Sequence, residues 1–551
     1  MIKQNFVEYF ENSIKLNWSL PALTNYQGET FTYGQVGLKI KKFHYLLKKN
    51  NIKKGDKVAL IGKNNTNWAI VYLATVTYGA VIVPLLQDFP KDDIHHIINH
   101  SEAKLLFISD QIYQKIDAKE MNNVETIVSL EDYSVLNSKN KDADINLKEA
   151  DEYFSKNTLS PANFKLKNID NKELLGILYT SGTSGFSKGV MLTHNNLAAN
   201  IHYARHNFKV VQGDRIVSFL PLAHAFGCAF EFLWPFTKGC HITFLGKIPS
   251  PQIIIKAFQE IKPKIILSVP LVLEKVYKNK IQPVLKTKKI KFLTKIPILN
   301  RIIYKKFLTS LNDSFGGNFR EVVLGGAALS KEAEIFFHKI KLHYTIGYGM
   351  TECGPLISYS PWNKTKMFST GRIVDTLELK IDSDDPYNTV GEILVRGENV
   401  MVGYYKNEEA TAKAIDKDGW LHTGDLGLID KNECIYIKGR SKSMILGPSG
   451  QNIYPEEIEA KINNLPFVNE SLVIEKTGKL HALIVPDYDF IEEKGIDSEG
   501  LEFEMLHNKN LLNEDLPNYM RIAKFEIRKE EFEKTPKKSI KRFLYTILSN
   551  N

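Results

Sequence analysis

The chain has 551 residues, of which 43% are hydrophobic and 25% are charged, and its formal net charge is +9. This length exceeds what one hydrophobic core usually serves, so at least two domains are expected in a soluble globular protein. The four cysteines show no Cys-x-x-Cys pair, which argues against disulfides and structural zinc and favours a reducing compartment. Residues 1–13 lack the apolar core of about 7–15 residues that a secretory signal needs, so a cytoplasmic location is expected.

An uncharged stretch at residues 68–86 has the length of a membrane span. Two threonines, Gly79 and Pro84 interrupt it, and the glycine divides it into a helix-like part and a strand-like part. We therefore predict a buried helix followed by a buried strand at residues 80–85.

Short apolar runs alternate with helical patterns over the first 110 residues. Strands are predicted at 57–61 and 104–108, and a helix is predicted at 36–49. This alternation favours layered α/β structure with a largely parallel sheet. Residues 111–170 are rich in Lys, Asn and Asp, and a variable surface region or loop is predicted there.

A hydroxyl- and glycine-rich turn lies between two predicted strands, at 174–179 and 190–192. Its small residues leave backbone N–H groups free to converge on an anion, and hydroxyls together with a lysine suit a polyphosphate. The spacing is not that of a Walker A loop, and a flexible surface loop is the alternative. The predicted phosphate-binding residues are Thr180, Ser181, Gly182, Thr183, Ser184, Gly185 and Lys188.

The pattern of this turn, Tyr-Thr-Ser-Gly-Thr-Ser-Gly-x-x-Lys-Gly, resembles the signature loop of the adenylate-forming, AMP-binding ligases. That superfamily includes the acyl-CoA synthetases. The resemblance implies a large N-terminal domain of layered α/β subdomains and a small C-terminal α+β lid. It also implies ATP as a substrate, Mg²⁺ as a cofactor and coenzyme A as a co-substrate.

The segment 219–227 places His224 in an apolar run. In the ligases a similar segment lines the carboxylate pocket, and the resemblance implies that His224 gates access for the second substrate. By itself, a histidine in such a run is more often a satisfied core residue. Ala225 and Phe226 follow, without the aspartate that holds a substrate amine in amino-acid-activating relatives, so an apolar acid is expected.

Residues 268–277, SVPLVLEKVY, resemble a run found in long-chain fatty acyl-CoA ligases, which implies a long-chain fatty acid as the acid. From 275 to 306 the chain has many basic residues, interleaved apolar residues and no Asp or Glu. Three interpretations stay open for this segment. It can be a solvated helical hairpin, a wall of a lipid tunnel, or a basic amphipathic patch that touches an anionic membrane surface.

Small residues follow a predicted strand at 321–324. Gly326, Ala327 and Ala328 let a planar group approach the backbone. In the family this turn borders adenine and the acyl pocket, whereas a tight turn without a ligand is the alternative.

Residues 343–352, HYTIGYGMTE, form the second diagnostic motif. Tyr348, next to Gly349, can stack on adenine, and Thr351 can hydrogen-bond the α-phosphate. Glu352 is a hard oxygen donor suited to Mg²⁺. A Thr-Glu pair is also an ordinary helix start, but its place after a strand and downstream of the signature loop favours function.

The third motif ends at Asp425, which in the family accepts hydrogen bonds from the ribose diol, and Arg440 is implied to reach the nucleotide. The position of Lys442 corresponds to the hinge of the family. We therefore predict an AMP-binding domain over 1–439 and a mobile lid over 440–551.

Family members usually carry a catalytic lysine in a C-terminal run like Thr-Pro-x-x-Lys-x-x-Arg. Residues 535–542 read TPKKSIKR, so Ser539 occupies the lysine position in the direct register. A shift by one residue presents Lys538, to which we assign the role, with Lys541 second. The alternative is a solvated basic tail. A cation there would stabilise charge on the attacking carboxylate and the α-phosphate.

These motifs predict a long-chain acyl-CoA ligase in which Thr351, Glu352, Lys538 and His224 are catalytic. Its expected partners are a fatty acid, ATP and coenzyme A, with no nucleic acid. The alternatives are a fatty acyl-AMP ligase or acyl-carrier-protein synthetase, a luciferase-like oxygenase, and a non-catalytic lipid- or nucleotide-binding protein. A peptide-synthetase module is disfavoured because no carrier domain follows.

Overall fold

The computed structural model describes residues 2–156, 159–180, 188–246, 250–446, 451–535 and 539–546, with the backbone alone at 144–147 and 251. Its largest sheet has eight strands. The pairs at the centre of this sheet are parallel, and antiparallel pairs flank them. In spatial order the strands are Gly403–Tyr404, Lys188–Thr193, Leu174–Thr180, Val81–Leu85, Lys57–Ile61, Ala103–Ile108, Thr126–Ser129 and Val135–Ser138.

The uncharged stretch folds as predicted into a helix and a strand. The helix Thr66–Tyr78 is buried along nearly its whole length, with Asn65 capping its first turn. It ends at Gly79, whose φ of 96° is a left-handed conformation that glycine adopts without strain. The strand Val81–Leu85 follows and is buried at every position. No helix in the described ranges combines the length and apolarity needed to cross a bilayer.

The prediction of a loop over 111–170 is wrong in part. Thr126–Ser129 is a buried strand that extends the large sheet by parallel pairing with Ala103–Ile108, and Val135–Ser138 closes that edge. A helix, Ala143–Lys156, follows. The polar composition of this region reflects its position at the sheet edge, where fewer side chains are needed for the core.

The remaining strands form six smaller sheets. The N-terminal four-stranded sheet consists of Arg215–Ser218, His241–Phe244, Pro21–Asn25 and Thr30–Thr32. A parallel three-stranded sheet consists of Ile265–Ser268, Glu321–Leu324 and Tyr344–Ile346. Two sheets carry the site motifs. The first has three strands, Tyr348–Gly349, Leu356–Tyr359 and Arg372–Ile373. The second has four strands, Leu377–Asp382, Gly391–Gly397, Leu421–Ile429 and Ile435–Arg440. The last two sheets are C-terminal. One pairs Ile445–Leu446 with Asn452–Ile453. The other consists of Val468–Lys476, Lys479–Pro486 and Ile522–Ile527.

Helices cover the faces and ends of these sheets. In addition to the helices already given, the α-helices are Phe6–Leu16, Tyr33–Lys49, Lys91–Ser101, Asp110–Tyr113, His194–Asn207, Ala225–Gly227, Trp234–Thr237, Pro251–Ile261, Pro270–Val276, Gln282–Lys286, Lys288–Leu293, Pro297–Ser314, Lys331–Lys339, Glu408–Ala414, Pro455–Ile462, Tyr488–Lys494, Ser498–Asp515 and Phe543–Thr546. The shorter 3₁₀ turns are Ala118–Glu120, Thr351–Cys353, Ser441–Ser443 and Asn518–Met520, and the π-helical turns are Cys228–Leu233 and Tyr277–Ile281.

The hydrophobic cores separate along the chain. Of the five clusters found among the described residues, three draw only on residues up to 437, and two draw only on residues from 445 onward. The C-terminal clusters pack the three-stranded sheet of residues 468–527 against its helices. This separation supports the proposed boundary near Lys442, because a segment with its own core can move as a unit.

Candidate functional site

A cavity of about 2420 Å³ separates the body of the protein from the C-terminal region and is lined by residues of both. It brings together eleven of the residues predicted from the sequence, which are Thr180, His224, Gly326, Ala327, Ala328, Tyr348, Gly349, Thr351, Glu352, Asp425 and Arg440. Residues 181–185 and Lys538 lie outside the described ranges. We refer to this cavity as the cleft.

The predicted phosphate turn connects two antiparallel strands. Leu174–Thr180 pairs with Lys188–Thr193, and Thr180 lies opposite Lys188 across the pair. The second strand is therefore longer than predicted. Gly189 has no room for a side chain, since an added Cβ would lie 2.8 Å from a methyl group of Ile177. The pairing places Lys188 opposite Thr180, which lines the cleft.

Tyr404 links Lys188, the predicted phosphate-binding lysine, to Glu352, the predicted metal ligand. The ammonium of Lys188 lies over the Tyr404 ring, 4.9 Å from its centroid. The Tyr404 hydroxyl donates a hydrogen bond of 2.9 Å to Oε1 of Glu352. Burial and the Glu352 carboxylate raise the pKa of Tyr404, so the phenol stays protonated and donates. No role for Tyr404 was predicted from the sequence. Only the fold brings it to the site, by pairing it with Val190 of the strand Lys188–Thr193.

A short turn presents Thr351 and Glu352 to the cleft. Thr351–Cys353 forms a 3₁₀ turn, and the Glu352 carbonyl accepts a hydrogen bond of 2.8 Å from the Met401 amide. Gly349 precedes this turn in close contact with the chain, since an added Cβ would lie 2.2 Å from the Pro355 carbonyl oxygen. The turn is therefore held by backbone contacts on both sides.

Asp425 contacts two other predicted nucleotide residues, Tyr348 and Arg440. It accepts a hydrogen bond of 2.6 Å from the Tyr348 hydroxyl and an ion pair of 2.9 Å from Nε of Arg440. Asp425 and Arg440 face each other across two antiparallel strands, which explains their spacing in the sequence. Burial raises the pKa of the Asp425 carboxyl, and the Arg440 charge opposes that effect. These contacts present a buried carboxylate and an exposed guanidinium to one wall of the cleft.

The small-residue turn packs against the segment of His224. Gly325 lies against the Phe226 ring, since an added Cβ would come within 3.0 Å of it, and Gly326 has a left-handed φ of 86°. His224 caps the short helix Ala225–Gly227, with its Nδ1 accepting a hydrogen bond of 3.4 Å from the Phe226 amide. His224 and the small residues Gly326, Ala327 and Ala328 therefore line the same cleft.

The C-terminal residues near the expected lysine also line the cleft, namely Ser539 and Lys541. The carbonyl of Ser539 accepts a hydrogen bond of 2.8 Å from the Thr535 amide. The ammonium of Lys541 pairs with Glu533 at 3.5 Å.

Polar contacts hold the C-terminal region against the body. The ammonium of Lys278 donates to the carbonyl of Asn463 at 3.0 Å and also to the carbonyl of Val468. The side-chain amide of Asn464 donates to Glu332 at 3.0 Å. We call these contacts the seam. Sequence reasoning missed Lys278, because only the folded chain places it beside the C-terminal backbone.

Within the described ranges, no group of three or more His, Cys, Asp or Glu side chains could enclose a metal ion. A single carboxylate, Glu352, at the phosphate end of the cleft fits Mg²⁺. This ion usually binds one or two carboxylates and takes its other ligands from water and substrate phosphates.

Comparisons with known proteins agree with the family resemblance that the sequence motifs indicate. The family model described as AMP-binding enzyme matches residues 10–405. A long-chain-fatty-acid–CoA ligase of Mycobacterium bovis is 29% identical over 449 residues, which cover 77% of this chain and 71% of that protein. A long-chain-fatty-acid–CoA ligase of Rattus norvegicus is 25% identical over 532 residues, which cover 90% and 79%.

Solved structures share the fold. The anthranilate CoA ligase in complex with anthranoyl-AMP has a TM-score of 0.78 at 20% identity, covering 99% of this chain and 97% of that one. ATP-bound MatB from Rhodopseudomonas palustris has a TM-score of 0.75 at 22% identity and covers 99% of both chains. The predicted α/β fold of the adenylate-forming ligases is thereby confirmed.

Proposed function

The chain belongs to the AMP-binding enzyme family, and on that premise we propose that it activates a long-chain fatty acid with ATP and transfers the acyl group to coenzyme A. One observation carries this proposal: the residues that line a single cleft include a ribose-type acceptor, Asp425, and a carboxylate, Glu352. Glu352 accepts a hydrogen bond from the Tyr404 phenol, whose ring lies under the Lys188 ammonium. A bound nucleotide needs both kinds of group, an acceptor for its ribose and charged groups for its phosphates.

The adenosine end is formed by Tyr348, Asp425 and Arg440. The Asp425 carboxylate is buried, accepts a hydrogen bond from Tyr348 and forms an ion pair with Arg440. A ribose diol would add donors to this carboxylate. The small turn of Gly326 to Ala328 leaves the backbone open to a flat ring, because its side chains are small and exposed to the cleft.

The phosphate end is formed by Thr180, Lys188, Thr351 and Glu352. Backbone amides of the predicted turn, hydroxyls and an ammonium would offset the charge of the triphosphate. Bound through Glu352, Mg²⁺ would neutralise charge on the phosphate oxygens.

In the first step a carboxylate oxygen of the fatty acid attacks the α-phosphorus of ATP. The bond from that phosphorus to the oxygen bridging it to the β-phosphate breaks, and pyrophosphate leaves with the electron pair. The residues of the cleft contribute alignment and electrostatic stabilisation. A C-terminal lysine, Lys538 or secondly Lys541, would supply positive charge beside the attacking oxygen.

In the second step the thiolate of coenzyme A attacks the acyl carbonyl carbon, and AMP leaves as the carbon–oxygen bond breaks. We propose that the C-terminal region rotates about Lys442 between the steps, with His224 gating the entrance of the thiolate. A hinge that replaces one set of groups by another allows two different steps in one cavity.

The fatty acid and its length rest on three supports. The relatives in Mycobacterium bovis and Rattus norvegicus are named as long-chain-fatty-acid–CoA ligases. Residues 268–277 resemble the corresponding run of that branch. Ala225 and Phe226 follow the cleft residue His224 in the sequence, where amino-acid-activating relatives hold an aspartate for the substrate amine.

Two alternatives use the same site. A fatty acyl-AMP ligase or acyl-carrier-protein synthetase would share the first step and differ in its acceptor. A non-catalytic nucleotide- or lipid-binding protein is favoured by one observation, the serine at 539 where family members carry lysine.

The test measures pyrophosphate and AMP release with ATP and Mg²⁺ for acids from acetate to oleate, each with and without coenzyme A. The proposal expects AMP release from long acids only, dependent on coenzyme A. Lys538→Ala and Lys541→Ala identify the catalytic lysine, since only its replacement should lower the rate of pyrophosphate release by about 10²–10³-fold. Ser539→Lys tests the direct register, in which the family's lysine falls at position 539. Pyrophosphate without coenzyme A dependence favours the acyl-AMP ligase, and no pyrophosphate from any acid favours the binding protein.

A further inference from the structure

The three helices Gln282–Lys286, Lys288–Leu293 and Pro297–Ser314 carry large apolar side chains on the outside of the protein. The exposed fraction is 66% for Phe292 and 74% for Ile298, and it is 41% for Val284 and 48% for Ile302. Isolated exposed apolar residues are ordinary, but a cluster of them indicates a contact surface. We refer to residues 282–306 as the basic surface.

Other apolar residues of the same helices point the opposite way. Leu285, Tyr304 and Phe307 pack against the core cluster that contains Ile281 and Leu311. The helices therefore have an inner apolar side that anchors them and an outer apolar side that remains exposed. The exposed outer side faces away from the interior, so it does not form the wall of a lipid tunnel. A helical hairpin that is only solvated would not need large apolar side chains on its outer side.

Positive charge surrounds the outer apolar side chains. The basic surface contains no Asp or Glu, and its lysines and arginine are Lys286, Lys288, Lys289, Lys291, Lys295, Arg301, Lys305 and Lys306. An adjoining groove lined by Lys305 and Lys306 also reaches Asp313, but the surface as a whole carries a net positive charge that attracts anions. Apolar side chains among clustered lysines are the combination that binds the interface of an anionic bilayer.

We propose that the basic surface docks the protein on a membrane that contains anionic lipids, with Phe292 and Ile298 inserted among the headgroups. The docking goes beyond the proposed reaction and does not depend on it. A consequence that does rest on the proposed function concerns delivery of the acid: Pro283 lines the cleft, and the next residue, Val284, is exposed on the basic surface. The edge of the cleft therefore lies beside the bilayer from which a long acid would arrive.

The test is co-sedimentation of the full chain with vesicles, without ATP or acid, so that its outcome is independent of the chemistry. Vesicles of phosphatidylcholine alone are compared with vesicles that also contain phosphatidylglycerol, at low and at high salt. We expect binding to the anionic vesicles that weakens with salt. Equal binding to neutral and anionic vesicles, or binding to neither, would overturn the proposal.

Charge reversal tests the lysines. Lys288→Glu, Lys289→Glu and Lys291→Glu together should weaken binding by about 100-fold or more, since each lysine near an anionic surface contributes roughly fivefold. The matched control reverses three exposed lysines elsewhere and should bind like the wild type; its substitutions are Lys417→Glu, Lys431→Glu and Lys479→Glu. Equal losses in both variants would mean that net charge alone is responsible.

Apolar truncation distinguishes a membrane from a nucleic acid. Phe292→Ser with Ile298→Ser should weaken vesicle binding by about tenfold or more. The control pair is Phe503→Ser with Leu506→Ser, whose side chains are 70% and 53% exposed on a different helix. If the Phe292 variant binds vesicles normally, or if single-stranded RNA binds as tightly as the vesicles do, the membrane assignment fails.

Discussion

The strands beneath the phosphate turn and the seam at the C-terminal region are stabilised by different interactions. Beneath the turn, Ile177 and Val190 are fully buried, and the helix packed on this sheet buries Trp68. The seam depends instead on a few directed polar contacts, chiefly those of Lys278 and Asn464. Apolar burial has no preferred direction and is lost only by unfolding, whereas a few hydrogen bonds can break and re-form. We interpret the strands beneath the turn as a rigid platform for the site, and we propose that the C-terminal region can move relative to it.

Trp68→Ala tests the platform and should have the largest effect. The indole is 1% exposed and stacks on Tyr72 with ring centroids 5.4 Å apart. Its truncation leaves a cavity and should lower the free energy of unfolding by about 3–5 kcal/mol, measured by guanidinium titration. Phe503→Ala, at a residue that is 70% exposed, should change it by less than about 0.5 kcal/mol. Similar losses in the two variants would remove the distinction between platform and surface.

Asp425→Asn tests whether the rigid platform holds the nucleotide acceptor. The amide lacks the charge that pairs with Arg440 at 2.9 Å, so AMP affinity should fall by about 10–100-fold with little loss of stability. Because burial raises the pKa of Asp425, the wild-type carboxylate is protonated at a higher pH than an exposed aspartate. AMP affinity should therefore fall as pH is lowered through that raised pKa, and calorimetry of the variant should show no such fall. Unchanged affinity would exclude Asp425 from nucleotide binding.

The strands and the helix of the platform could be predicted from the sequence, because short local patterns determine them. The strand at 57–61 has the predicted bounds, and Gly79 marks the end of the buried helix as expected. Short apolar runs and glycines determine such elements within a few residues. The motifs containing Tyr348 and Asp425 could also be recognised, because their residue types and order are specific.

The contacts that connect distant segments could not be predicted. Tyr404 and Glu352 are 52 positions apart, and only the pairing of the strand at 403–404 with the phosphate hairpin brings the phenol to the carboxylate. Lys278 is 185 positions from Asn463. The strand at 126–129 was missed for a similar reason. It is buried between the strands at 103–108 and 135–138, whereas its surroundings in the sequence are polar.

Tyr404→Phe tests whether the platform also positions the metal ligand. The variant removes the 2.9 Å hydrogen bond to Glu352 and keeps the ring beneath Lys188. The Mg²⁺ concentration needed for half-maximal pyrophosphate release should rise by about three- to tenfold, because Glu352 is less well positioned. Tyr404→Leu should add a further loss by removing the ring from Lys188.

The matched control for this prediction is Tyr405→Phe. The Tyr405 hydroxyl donates to Glu102 at 3.0 Å, away from the predicted metal ligand, so its loss should leave the Mg²⁺ dependence unchanged. If the Tyr404 and Tyr405 variants behave alike, Tyr404 does not position Glu352.

Lys278→Met tests the seam and should have the smallest effect. Losing the hydrogen bonds to the carbonyls of Asn463 and Val468 should increase the population of open C-terminal regions by about two- to tenfold. The distance distribution between spin labels at positions 417 and 479 reports this change, since the four native cysteines are buried. Lys280→Met, at an exposed lysine two residues later, is the control.

The same lysine predicts a pH dependence for the seam. Burial lowers the pKa of Lys278 to about 8, opposed by the charges of Asp487 and Glu274 and reinforced by Lys275 and Lys286. The ammonium is present below that pKa and is lost above it, which weakens its bonds to the two carbonyls. The wild-type distance distribution should therefore broaden as pH rises through about 8, whereas that of Lys278→Met should already be broad and independent of pH in this range. A distribution that stays narrow in the variant would mean that the seam is held by apolar packing, like the platform.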